Sequence, residues 1–212
     1  MPKLDEQTQQ ARRDRILDAA ERCFARSGFH RTSIQDICRD AEVSAGALYI
    51  YFASKEDLIA GLCERETQEF AERFALLAEA PDFLAALNAF AEHCMGHPQH
   101  KILMHIEIGA EAMRNEKIGD LVRAADRFLM SRFEELLVRV KAEGRIAPIV
   151  DCAVLTRTMA VIGDGLFWHR ALDPDFDSRS VLPAFMAMIS TLINPTPSAP
   201  PLAAFEENDN AA

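Results

Sequence analysis

The sequence predicts an all-α protein of nine helices, and three observations carry that prediction. Apolar residues recur at three- and four-residue spacing through most of the chain, the signature of one buried helical face. The breaks between these runs hold helix starts and stops, among them Ser44, Ser54, Gly28 and Pro81. No run alternates apolar and polar residues as a half-buried strand would. Apolar residues make up 49% of the 212, enough to bury a sizeable core.

The first helix spans about residues 8–27, with Ile16, Ala19, Ala20, Cys23 and Phe24 on one face and Gly28 as the C′ stop. Thr32 and Gln35 offer a capping box for the second helix, whose buried face is Ile34, Ile37 and Ala41. Ser44 is a good N-cap for a third helix over 45–51, and Ser54 with Asp57 opens a fourth, long one. Leu58, Leu62, Phe70, Phe74 and Leu77 form its apolar stripe. Pro81 suits the first turn of a fifth helix, carrying Phe83, Leu84, Leu87, Phe90 and Cys94. Gly96-His97-Pro98 breaks the chain before a sixth helix over 99–114, stopped by Asn115. A seventh covers 117–143 and ends at Gly144; Asp151 caps an eighth reaching residue 169. The ninth spans 178–193, with Pro183 near its first turn. From residue 194 the chain turns to proline, small and acidic residues, which predicts a flexible tail over 194–212. Leu202 and Phe205 in that tail either sit in solvent or dock on the body or a partner subunit.

Two short helices joined as tightly as the second and third make a helix-turn-helix, whose second helix enters the DNA major groove. The run I-C-R-D-A-E-V-S-A-G-A-L-Y-I-Y-F-A-S-K-E-D-L, ending at Leu58, resembles the signature of the TetR/AcrR family of bacterial transcriptional regulators. Two positions depart from it. Glu42 stands where the family usually has glycine in the turn, and Tyr51 where it often has histidine. The resemblance implies a nine-helix TetR-like fold, with a helix-turn-helix headpiece over 1–53 and a ligand-binding and dimerisation body over 54–193. It also implies that Tyr49, Tyr51 and Lys55 touch phosphate or bases, unless one tyrosine packs against the first helix. From the residues themselves, Thr32, Ser33 and Ser44 sit at helix N-termini, where hydroxyls and the dipole favour phosphate. Ala45 and Gly46 have little side-chain reach, and Gly46 permits close approach of backbone to DNA. Arg31 is a groove or phosphate candidate. Arg12, Arg13, Arg15 and Arg22 either lie near the DNA backbone or pair with Asp14, Asp18 and Glu21.

The net charge of −10 is uneven: residues 1–55 carry +1 and the remainder −11. Local potential rather than whole-chain charge governs phosphate binding, so the balance permits DNA binding without establishing it. Five scattered cysteines, no apolar leader and no membrane-length run lead us to expect a reduced, cytoplasmic protein with no membrane partner. No nucleotide loop or nucleophile motif is present, so neither enzymatic activity nor a cofactor is expected. His93, His97, His100 and His105 are expected to be solvated or hydrogen-bonded rather than metal-bound, because Pro98 interrupts them and no cysteine joins them in a ligand pattern.

A single headpiece makes too small a contact for tight, selective binding, so a homodimer reading a palindromic double-stranded operator is expected. Val154, Met159, Ile162 and Leu166 of the eighth helix, with Phe185, Met188, Ile189 and Leu192 of the ninth, are the candidate dimer surface; the other reading is that they complete the monomer core. The resemblance also implies a small-molecule pocket between the fourth and eighth helices. Candidate lining residues are Phe70, Phe74, Phe90, Met104, Ile108, Phe128, Phe167 and Trp168, with His93, His105, Glu111 and Asp164 as polar anchors. An apolar or amphiphilic effector would suit them. The expected function is a repressor released by that effector, with a multidrug efflux operon as one target. The alternatives are a repressor of fatty-acid or other catabolic genes, or a small-molecule sequestering protein that does not bind DNA.

Overall fold

The structure, a computed structural model, describes residues 6–173 and 175–194; the tail with Leu202 and Phe205 lies outside them. Nine helices and no strand occur among the described residues: α1 (Glu6–Ser27), α2 (Ile34–Asp40), α3 (Ala45–Tyr49), α4 (Lys55–Glu79), α5 (Phe83–Met95), α6 (Gln99–Ala112), α7 (Glu116–Ala142), α8 (Cys152–Leu172) and α9 (Ser178–Ile193).

Several starts differ from the sequence reading. The N-cap of α2 is Ser33, not Thr32. Its hydroxyl accepts from the Asp36 amide, and the Asp36 carboxylate accepts from the Ser33 amide. Thr32 is drawn inward instead, because its hydroxyl donates to the carbonyls of Cys23 and Gly28 at 3.0 and 2.8 Å. Pro81 precedes the α5 cap, which is Asp82 accepting from Ala85 N. Asn115 is a start rather than a stop: its side-chain oxygen accepts from Ile118 N at the head of α7. Asp151 holds the α8 N-cap position without a side-chain cap bond. Glu42 has φ +53°, so the α2–α3 turn demands the left-handed conformation that glycine gives without strain.

The core has two parts. The first gathers Ile16, Leu17, Phe24, Ile37, Leu48 and Phe52 of the headpiece and continues into Leu58 and Leu62 of α4, Met104 and Ile108 of α6 and Ile118 of α7. The headpiece is therefore seated on three body helices rather than tethered by a linker. The second holds the far end of the body, around Phe74, Leu87, Phe133, Leu137, Leu155 and Ile189. Two arginines tie loose helix ends into it. Arg145 donates to the carbonyls of Ala78 and Ala80 at the end of α4, and Arg170 to those of Met95 and His97 at the end of α5. Carbonyls at helix C-termini have no intrahelical donor, so these guanidiniums supply one.

Candidate DNA-binding surface and ligand cavity

The headpiece presents α3 and the start of α2 outward. Arg31, Ser33, Ser44, Ala45 and Gly46 are exposed, and Tyr49 is 54% exposed. Ser44 caps α3 through the Ala47 amide at 3.2 Å. A Cβ built on Gly46 would meet nothing closer than the Ser44 hydroxyl at 4.0 Å, so internal packing does not require glycine there. Three candidates do not face outward. Thr32 is buried. Tyr51 is half-buried and packs on the headpiece core, while Tyr49 stays exposed. The Lys55 ammonium donates to the carbonyls of Phe29 and Thr32 and lies 4.4 Å from the centre of the Phe29 ring. It pins the α1–α2 loop to α4. Ile50, at 78% exposed, is an outward residue that the sequence reading passed over, because an apolar residue beside Leu48 and Phe52 reads as core. Of the arginines, Arg13 pairs with Glu64 at 2.5 Å and Arg22 with Asp40; Arg31 Nε donates to Ser27 O.

The body encloses a cavity of about 500 Å³ walled by α4 to α9. Phe70, Phe74, Phe90, Met104, His105, Ile108, Asp164 and Phe167 line it, as the sequence suggested. Four candidates do not. His93 faces the Glu69 carboxylate at 3.3 Å; Glu111 is 4% exposed and holds His30 Nε2 at 2.9 Å. Phe128 lies outside under the Arg132 guanidinium, and Trp168 is exposed. Residues not among those lining candidates complete the wall, notably Leu62, Cys63, Glu66, Arg123, Asp126, Thr156, Met159 and Phe185. Burial pushes the Cys63 thiol up to about 11, with Glu66 adding to it, and the Cys94 thiol up to about 12. Both thiols of the wall stay protonated and unreactive at neutral pH.

α6 belongs to both sites. Met104, His105, Ile108 and Gly109 face the cavity, while Glu107 accepts from Phe29 N at 2.7 Å and Glu111 binds His30. Glu107 also packs so closely on Gly28, at φ +78°, that a Cβ there would come within 2.9 Å of its carboxylate.

Residues 16–62 match the family described as bacterial regulatory proteins, tetR family, and residues 86–194 the BetI-type transcriptional repressor C-terminal family. The chain belongs to the TetR family. Among its relatives, the HTH-type transcriptional regulator UidR of Escherichia coli (strain K12) is 27% identical over 150 residues, covering 71% of this chain and 76% of its own. The nicotine-responsive repressor HdnoR of Paenarthrobacter nicotinovorans is 26% identical over 168 residues, covering 77% and 85%. The solved structure of Salmonella enterica GusR superposes with a TM-score of 0.74 at 26% identity, over 91% of this chain and 100% of that one. The protein is thus a TetR-family, ligand-responsive transcriptional repressor and not an enzyme. No helix among its described residues is long and apolar enough to cross a membrane.

The remaining candidates of this TetR-family chain lie on α8 and α9. Val154 and Met188 are exposed, Ile162 is half-buried, and Met159, Leu166 and Phe185 turn toward the cavity. Leu192 packs on the body core, and Ile189 is fully buried within it. Ile189 is therefore a monomer core residue, because the register of α9 turns it inward with Leu182, Met186 and Ile193. The outward stripe of α8 is instead Val154, Val161, Trp168 and Leu172, at seven- and four-residue steps on one face. Exposed Pro183, Ala184, Ala187 and Met188 of α9 are likewise apolar.

Near α5, burial lowers the His97 imidazole to about 4 from the ordinary 6.5, and the charges of Lys101 and His93 add to the effect. The unfolded chain then binds more protons between those values, so stability falls as pH drops from 6.5 toward 4. His97→Gln should flatten that part of the curve, read as melting temperature against pH.

Proposed function

We propose that the protein acts in the cytoplasm as a homodimer that reads a palindromic operator through Arg31, Ser33, Ser44, Ala45, Gly46 and Tyr49. A small apolar or amphiphilic effector would occupy the cavity and release it from the DNA. The observation that carries this reading is α6, one helix forming both the cavity wall and the seat of the α1–α2 loop. An effector that fits the cavity better in one position of α6 than another shifts the equilibrium between headpiece arrangements by that differential affinity. We place the functional boundary at residue 53, with the body over 54–193. The regulated genes are those that remove the effector, as an efflux operon does by export. An aromatic wall with few polar anchors suits the varied apolar compounds that export handles.

The test is fluorescence anisotropy over a salt series, with the duplex upstream of the gene against a scrambled one. Selective binding with a steep salt dependence is expected; equal, weak binding to both, with no site in a genome-wide footprint, favours a sequestering protein instead. Gly46→Ala sharpens the test. With open space around a Cβ and better helix propensity, it should leave the melting temperature unchanged or raised by the equivalent of about 0.5–1 kcal/mol. Operator affinity should nonetheless fall about tenfold, because the methyl group would stand between backbone and DNA. Unchanged affinity would remove Gly46 from the interface.

A further inference from the structure

We propose that the effector is an apolar organic cation, whose positive charge is matched by Glu66 of α4 and Asp164 of α8. This rests on the reading that the cavity is the effector site. The cavity wall carries three carboxylates, Glu66, Asp126 and Asp164, against the single guanidinium of Arg123. Two of these four charges are already answered. Arg123 is bound to Asp120 at 2.8 Å, and Asp126 lies 3.6 Å from Arg157. Glu66 and Asp164 have neither a hydrogen bond nor an ion pair among the described residues. A carboxylate facing an apolar space without a partner is unfavourable unless a countercharge arrives.

Burial raises the Asp164 carboxyl from its ordinary value and Asp126 adds to the effect, while the charges of His105 and Arg157 oppose it; the residue is also partly open to solvent. A second observation is independent of charge. Thr156 is 3% exposed, lines the same cavity, and its hydroxyl has no partner. Buried hydroxyls are nearly always bonded, so this one marks a place where a polar group is missing. Between the charged positions the wall is aromatic, with Phe70, Phe90, Phe133 and Phe167, and ring faces attract cations. An anionic ligand would find Arg123, already engaged, and the His105 imidazole beside Asp164, and would be repelled by Glu66 and Asp164.

The experiment compares tetraphenylphosphonium with tetraphenylborate, two ions of nearly the same shape and opposite charge. Binding to the full-length protein is measured by calorimetry at moderate salt, which screens the general attraction of a chain of charge −10 for cations. The phosphonium ion should bind at least tenfold tighter. A Glu66→Gln/Asp164→Asn protein should lose that preference while keeping its helicity and melting temperature. A Glu72→Gln/Glu92→Gln protein, changed by the same net charge at exposed positions, should keep it. Equal or tighter binding of the borate, binding of neither ion, or equal losses in both double variants would each overturn the assignment. Anisotropy on operator DNA separates this idea from the one beneath it. Release by the borate alone sinks the cation and leaves the regulator intact. Selective phosphonium binding without release does the reverse.

Discussion

A Val161→Glu/Trp168→Glu protein is expected to be a folded monomer whose operator affinity is lower by roughly a hundredfold or more. Val161 and Trp168 stand seven residues apart on the outer face of α8 and expose 62% and 50% of their surface, so charges there meet water in the isolated chain. In a two-fold dimer each change is made twice, and like charges are brought together across the axis. Splitting the dimer turns a bivalent operator complex into a monovalent one, which removes the gain of about 10² or more that linkage gives. Sedimentation combined with anisotropy reads both effects. A dimer that survives both substitutions would move the interface elsewhere. Ile189→Glu is a contrasting control: that side chain is fully buried, so the expected result is loss of folding rather than loss of dimerisation.

The second large effect is expected at Gly61. A Cβ there would stand 2.8 Å from Phe52 Cε1 and 3.0 Å from Leu17 Cδ2, atoms of the close-packed headpiece core. Gly61→Val must push α4 away from α1 and from the end of the recognition helix. Overpacking of this kind costs about 1–3 kcal/mol, seen as a lower denaturation midpoint. The displacement also tilts α3 relative to the body, so operator affinity should fall by more than the stability loss accounts for. Effector binding, measured far along α4 near Phe70, should change little. Parallel loss of stability, operator binding and effector binding would instead mean general unfolding.

The sequence was most legible where local rules act alone. Each helix is recovered within a few residues, because periodic apolar faces and side-chain caps need no tertiary information. One cap was misplaced where two candidates stand side by side. Thr32 and Ser33 both offer a hydroxyl, and only the packing of the α1–α2 loop turns Thr32 toward Cys23 and leaves Ser33 to cap. Lys55 reads as a phosphate ligand in the linear motif, whereas the folded loop offers it two carbonyls and a ring. Eight of the twelve cavity candidates line the cavity, since large aromatic residues at core register have few other places to go. Glu66 and Asp126 were not singled out, although a trace was present: each lies four residues from an apolar wall residue on both sides, Leu62 and Phe70, Val122 and Met130. A carboxylate within an apolar stripe is a stronger sign of a binding site than another phenylalanine, because core packing alone does not explain it. Trp168 and Phe128 were misassigned for the converse reason, that a large ring was taken as an inward one.

The sharing of α6 has a consequence for how such a protein can diversify. Met104 and His105 shape the ligand space, and two or three residues further along Glu107 grips the headpiece loop. On the proposed reading, a substitution that adapts this helix to a new compound would also shift the resting balance of the switch, so recognition and response would drift together. α8 packs against α6, α7 and α9, and its Asp164 and Phe167 offer a second surface for selection. Changes there can retune which compound is recognised while the lever itself keeps its setting.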